Sequence, residues 1–294
     1  MADGATSDEA SSDEPAPELV DAGFAATSST LVTYDAAHRL ASCLGVDPAV
    51  LDLGELPTLW HWAAFLPEVA AADLGPDGHP RRRPEMAGFP NRMWVGGRVQ
   101  VRRPLRLEAH AARSSRILRA DPKEGGSGRF WLLTVGHSVT QDGDVCIEEE
   151  QDLVLREASG PVPPVVPAEG APDAPWIEAR VADPPLLFLF SAATANAHRI
   201  HYDHPYATGV EGYPDLVVHG PLTAILLAEL ARSRSGAMAT GISFRARAPH
   251  FANQTFWLTG GPVGADGDGD SGRGADTAAI RADHTVSMTL EARW

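Results

Sequence analysis

Lysine is almost missing from this chain. Of its 24 Lys and Arg residues only Lys123 is a lysine, a bias that reads as genome composition and not as function. Positive charge is scarce altogether, and a formal net charge of −15 argues against nucleic acid as the main partner. No apolar run approaches the roughly 18 residues that a membrane-spanning helix needs, so no membrane association is expected. The two cysteines, Cys43 and Cys146, lack metal-type spacing, which points to free thiols in a reducing compartment and not to a disulfide framework. No Lys or Arg precedes Arg39 in an acidic, Ser-rich N-terminus, unlike a signal or transit peptide; a cytoplasmic location is the expectation. A Gly-rich dinucleotide fingerprint and a clustered Cys/His site are both missing, so neither a redox cofactor nor a metal is expected.

What remains is a chain of 294 residues, 44% apolar, long enough for two ordinary domains. Residues 1–17 read as a disordered acidic tail, 18–156 as an N-terminal domain, 157–175 as a linker with six prolines, and 176–294 as a C-terminal domain. Thr33–Leu44 has an N-cap threonine, one apolar face and a terminating Gly45, the marks of a helix. From Val95 to Leu155, and again from Gly241 to Arg293, apolar residues alternate with polar ones between turn-forming stretches, which predicts antiparallel sheet. Gly97–Pro104 and Gly241–Pro249 look like two copies of one strand. The whole reads as α+β with antiparallel sheets. Asp266, Asp268 and Asp270 resemble a calcium loop only superficially, lacking its Glu and flanking helices, and read as a hairpin insertion. Arg81, Arg82 and Arg83 form a basic cluster in a Gly/Pro-rich loop, either solvated or available to phosphates or a carboxylate.

The richest stretch runs from Phe190 to Leu230. A strand-like apolar run, Leu186–Phe190, turns polar at once and is followed by His198, His201, Asp203 and His204. Then Val218-His219-Gly220-Pro221-Leu222 opens an apolar helix. Pro221 suits the first helical position. The unpaired N–H groups there, with the helix dipole behind them, favour an oxyanion or a polarised carbonyl oxygen.

Asn196-Ala197-His198-Arg199-Ile200-His201-Tyr202-Asp203 resembles the D-x-N-P-[LI]-H-x-D motif of the MaoC-like (R)-specific enoyl-thioester hydratases. Val218–Leu222 resembles their V-H-G-x-L helix start. The form N-x-H-R-I-H-Y-D is closer to a two-domain branch, the double hot dog acyl-thioester hydratases and dehydratases, which includes mitochondrial-type 3-hydroxyacyl-thioester dehydratases and bacterial 3-methylfumaryl-CoA hydratases. Leu59-Trp60-His61-Trp62, Arg92-Met93-Trp94, Gly96-Gly97-Arg98 and Glu149–Asp152 resemble its N-terminal half, so the likeness spans about Leu31 to Trp294.

The resemblance implies a double hot dog, two antiparallel sheets each wrapping a central helix, and a hydro-lyase that adds water to a 2,3-enoyl thioester or removes it from the 3-hydroxyacyl thioester. It implies His201 as the base, Gly220 N–H as the oxyanion donor and Asn196 as the second polar group. His198, Arg199, Asp203, His219, Trp60, Trp62, Arg92 and Trp94 are the implied substrate contacts. Coenzyme A or acyl carrier protein enters as part of the substrate, a short branched or dicarboxylic acyl chain is favoured, and self-association is compatible with the fold. The usual aspartate falls at Asn196, which cannot carry a proton near neutral pH. Three arrangements stay open: His201 performs both transfers, Asp203, His198 or another carboxylate supplies the second, or the site binds thioesters without turnover. A thioesterase or a tailoring enzyme on the same fold are further alternatives, which fold alone does not separate.

Overall fold

The computed structural model describes residues 26–81, 88–125, 128–158, 160–263 and 273–294. The acidic tail, Arg82, Arg83 and the Asp266–Asp270 stretch lie outside them. The strands are β1 (Ala26–Val32), β2 (Asn91–Val101), β3 (Ala109–Gly125), β4 (Gly128–Gln141), β5 (Asp144–Arg156), β6 (Trp176–Val181), β7 (Gly241–Ala246), β8 (Thr255–Val263), β9 (Gly274–Ile280) and β10 (Val286–Arg293). They form one ten-stranded antiparallel sheet in the order β1-β3-β4-β5-β2-β7-β10-β9-β8-β6. Read outward from the centre, each half repeats the same connectivity. The two strands that look alike in sequence are the two that meet: β2 pairs with β7, with Gly97 opposite Phe244 and Gln100 opposite Gly241. A Cβ at Gly97 would lie 2.6 Å from the Phe244 ring, so the seam needs glycine there.

The helices are α1 (Tyr34–Leu44), α2 (Pro184–Thr194), α3 (His204–Gly209) and α4 (Gly220–Ser235). In α1, Thr33 Oγ1 accepts the Ala36 N–H at 3.2 Å, Gly45 at φ 67 ends the helix, and Ala37, Leu40, Ala41 and Leu44 are buried. The stretch Leu186–Phe190 is helical, which corrects the strand-like reading. Asp183 caps Leu186 N–H at 2.9 Å and Pro184 occupies the first turn, and this cap decides a run whose periodicity is mute. In α4 every residue from Leu222 to Ala231 is buried, and the helix lies on β8, β9 and β10. Each such leucine contributes about 2 kcal/mol by leaving water.

One detail of the expected fold needs correction. The two sheets are continuous, and among the described residues only the C-terminal half holds a long central helix. The corresponding N-terminal segment is loop with short 3-10 turns at Pro48–Leu51, Trp60–Ala63 and Ala71–Asp73. Its sequence is broken by Pro48, Gly54, Pro57 and Pro67, which interrupt helix propagation. Residues 157–175 carry no helix or strand among those described, yet they are strapped to the C-terminal half through Val162 N–H to Gly212 O at 2.8 Å and Ala168 N–H to Ala282 O at 2.8 Å. No helix among the described residues is long and apolar enough to cross a membrane.

Candidate active site

A cavity of about 270 Å³ opens between the halves of the molecule. Asn196, His198, His201 and Gly220 line it from the C-terminal half, and His79, Arg92 and Trp94 line it from the N-terminal half. A larger groove, about 850 Å³, lies on the sheet around Arg98, Glu150 and Arg293. Among its charges Arg98 pairs with Glu150 and Arg293 with Asp276, and neither His201 nor the Gly220 helix start lines it.

His201 ends a 3-10 turn, Arg199–His201, that follows α2. Its Nδ1–H donates to Val217 O at 2.7 Å, a carbonyl that can only accept, so the tautomer is fixed and Nε2 keeps its lone pair. The ring stacks on His219 at 3.7 Å between centroids. Asn196 Oδ1 accepts the His198 backbone N–H at 3.0 Å, which leaves its amide N–H groups to donate. Gly220 is the first residue of α4 and has no intrahelical acceptor for its N–H. Trp94 lies flat against it: a Cβ at Gly220 would sit 2.8 Å from Trp94 Cε3. A proton acceptor, an amide donor and a helix N-terminus thus converge, the set needed to move a proton beside a carbonyl that gains negative charge.

Several expected contacts lie elsewhere. Trp60 is 1% exposed and donates from Nε1 to Glu229 Oε1 at 3.1 Å, tying its turn to α4, and it does not line the cavity. Trp62 donates to Glu149 Oε1 at 2.7 Å and reaches the cavity only through Trp94, whose ring it meets edge-on at 5.6 Å. His219 is wholly buried beneath His201, bonded through Nε2 to Ser191 Oγ at 2.8 Å. Arg199 faces away from the cavity. It holds Asp203 through Nε and Nη2 at 2.9 and 2.7 Å, donates from Nη1 to Pro76 O at 2.8 Å, and covers the Tyr206 ring. Asp203 also caps α3 at Tyr206 N–H, 3.1 Å, and does not line the cavity. The pair serves to fasten the N-terminal loop against the His201 turn.

Residues 59–252 match the family model of Htd2, hydroxyacyl-thioester dehydratase type 2. The chain belongs to that family. It is 48% identical over 216 residues to mesaconyl-C(4)-CoA hydratase of Chloroflexus aurantiacus, covering 71% of this chain and 76% of the relative. A MaoC-like dehydratase of Phytophthora capsici superposes with a TM-score of 0.66 at 13% identity, over 94% of this chain and 98% of that one. A conserved hypothetical protein of Mycobacterium tuberculosis, described as having a double hotdog fold, superposes at 0.54 with 14% identity, over 92% and 96%. The double hot dog and the hydratase/dehydratase family implied by Asn196–Asp203 and Val218–Leu222 are therefore borne out. The protein is a hydro-lyase of acyl thioesters.

Burial first, and His198 second, hold the His201 imidazolium off, taking its pKa down to about 3 although the Val217 bond opposes this. His219 is lowered by burial and by the neighbouring His201 and His198. His250, also on the cavity wall, is lowered to about 3 by burial and by Arg281. Its tautomer follows from its neighbour: Ser287 O–H donates to Ala279 O at 2.8 Å, so His250 Nε2–H must donate to Ser287 Oγ, also at 2.8 Å. Its Nδ1 is left as a buried lone pair with no partner among the described residues.

These depressed values set an acid limit on the fold of this chain. Below pH 6.5 the unfolded chain takes up protons that folded His201 and His250 refuse, so stability is intact above 6.5 and is lost as pH falls toward 3. The loss is roughly 1 kcal/mol per group per pH unit after allowance for relaxation. Urea unfolding at pH 7.5, 6.0 and 5.0 should follow that slope, and His201→Gln should flatten it by about one proton. A curve flat across this range would show that these rings are charged in the folded protein.

His79, Tyr213, Arg247 and His250 line the cavity, although no sequence pattern marked them. Asp77-Gly78 before His79 is a turn signal that places the loop but not its destination. The other three lie outside the two motifs.

Proposed function

We infer that this enzyme reversibly adds water across the 2,3-double bond of a short branched or dicarboxylic enoyl-CoA of the mesaconyl-C4-CoA kind. The observation that carries the chemistry is His201, held neutral with Nε2 bare, on the same cavity as the Gly220 helix start. His201 Nε2 takes a proton from water as its oxygen bonds to the β-carbon. The π electrons move toward the thioester, whose oxygen accepts the Gly220 N–H with the α4 dipole behind it. Asn196 donates from its amide and orients the water. Arg92 and Arg247 on the wall suit a distal carboxylate or the phosphates of coenzyme A. The identity to a relative named mesaconyl-C(4)-CoA hydratase supports the acyl class. These steps use side chains and the thioester alone, with coenzyme A entering as part of the substrate.

Mass spectrometry after incubation with mesaconyl-C4-CoA and with crotonyl-CoA tests the reading. Gain of one water by both, with kcat/KM at least tenfold higher for the dicarboxylic ester, is the expected result; a factor of ten is about 1.4 kcal/mol, modest for one carboxylate–arginine contact. Equal rates would discard the dicarboxylic assignment. Bound but unchanged thioesters would make the protein a binder, the outcome that Asn196 motivates.

A further inference from the structure

Asn196 leaves the hydration without an evident donor for the α-carbon, and among the described residues no carboxylate lines the cavity. We propose that His198, held by Glu211, is the acid that protonates the α-carbon, so that a histidine–glutamate pair does what a carboxyl at position 196 would otherwise do. The proposal rests on the hydratase reading above and adds a second catalytic residue to it.

His198 is 6% exposed, lines the cavity and stands edge-on to His201 with 5.4 Å between ring centroids. Its Nε2 faces Glu211 Oε1 at 3.5 Å, and both side chains are about nine-tenths buried. The contact is of ion-pair range, and it leaves Nδ1 as the ring nitrogen available to the cavity. The position is fixed twice: Asn196 Oδ1 holds the His198 backbone N–H, and the His79 ring packs on its face at 4.2 Å. The groups that face His198 are thus His79 from the N-terminal loop, His201 on its own turn and Glu211 beyond α3. Behind Glu211 the Tyr206 hydroxyl donates to it, and Asp77 lies near that tyrosine. The adjacent Arg199 guanidinium is turned away onto Asp203 and Pro76 O. Glu211 is therefore the carboxylate placed to stabilise a His198 imidazolium, a positioning residue and not itself a catalytic one.

The step balances. Water loses a proton to His201 Nε2 and its oxygen bonds to the β-carbon. The C2–C3 π pair becomes an enolate held by Gly220 N–H. The enolate re-forms the thioester carbonyl as the α-carbon takes the Nδ1 proton of His198. His201 is left protonated and His198 neutral, and solvent returns the proton from the first to the second. Dehydration runs the same steps backward.

The test is kcat and KM for hydration of the better of the two thioesters. His198→Gln should lower kcat about 100-fold or more, with KM changed less than about threefold, the range for loss of a general acid. Glu211→Gln should lower kcat about tenfold with KM changed less than about threefold, because the His198 ring loses the carboxylate that positions it. Asn196→Asp in the His198→Gln background should regain about tenfold by restoring a carboxyl. Thermal unfolding and binding of butyryl-CoA, a saturated analogue, separate misfolding from lost chemistry. Wild-type kcat in His198→Gln, or a Glu211→Gln variant with wild-type kcat, overturns the proposal while leaving the hydratase reading intact. A wild-type enzyme inert toward every enoyl-CoA overturns both before any variant is compared.

Discussion

His201→Ala is expected to lower kcat about 1000-fold while KM stays within a few-fold, the signature of an interaction made in the transition state. The ring does three things that a smaller side chain cannot. It presents a bare Nε2, because Nδ1–H is committed to Val217 O. It stays neutral at working pH, because burial and His198 depress its pKa to about 3. It stacks on His219, which is itself fixed by Ser191 and precedes the Gly220 helix start, so Nε2 and the Gly220 N–H are built on one rigid stack. A second consequence follows from the low pKa. Hydration by wild type should not lose its base between pH 8 and 6; any fall at the acid side should coincide with unfolding. Rates of wild type, His201→Ala and His201→Gln on one enoyl-CoA, with circular dichroism of each, decide the matter. A folded His201→Ala protein within tenfold of wild type would remove His201 from the mechanism.

The parts of this molecule that were legible in sequence are those set by neighbours along the chain. Thr33 and Gly45 bound α1 because a cap needs only three or four residues of context. Asn196, His201 and Gly220 stand together because one turn and one helix start carry them. The match between Gly97–Pro104 and Gly241–Pro249 gains its meaning from the pairing of β2 with β7. What stayed hidden depends on partners far away. Trp60 and Trp62 read as pocket walls, but Glu229 and Glu149 claim their indole N–H groups from 169 and 87 residues away. Arg199 read as a substrate contact, and its geometry is decided by Pro76 in the other half. His79 enters the cavity on a loop whose landing place no local pattern encodes. Leu186–Phe190 shows the local limit: a short apolar run has no period to read, and Asp183 with Pro184 decides it.

The loop that carries His79 gives the second large effect. Gly78→Ala is expected to destabilise the fold by about 3 kcal/mol and to cut turnover more than tenfold, although Gly78 does not line the cavity. Two costs add. Gly78 has φ +86, where an L side chain costs about 1 kcal/mol. A Cβ there would also be driven into the Ala197 carbonyl, with the carbonyl carbon only 2.7 Å away, and both are backbone atoms of the turn that carries His198 and His201. Overpacking against backbone costs about 1–3 kcal/mol. Relief requires the 75–81 loop to lift. Lifting breaks Arg199 N–H to Asp77 O at 2.9 Å and Arg199 Nη1 to Pro76 O at 2.8 Å, and it withdraws the His79 ring from His198. Gly143 provides the control, with the same φ of +86 and open space for 4 Å around the point a Cβ would occupy. Gly143→Ala should therefore show the conformational cost alone and keep full activity. Thermal unfolding and turnover of the two alanine variants separate the two costs. If Gly78→Ala behaved like Gly143→Ala, the N-terminal loop would be a passive neighbour and not a support of the catalytic turn.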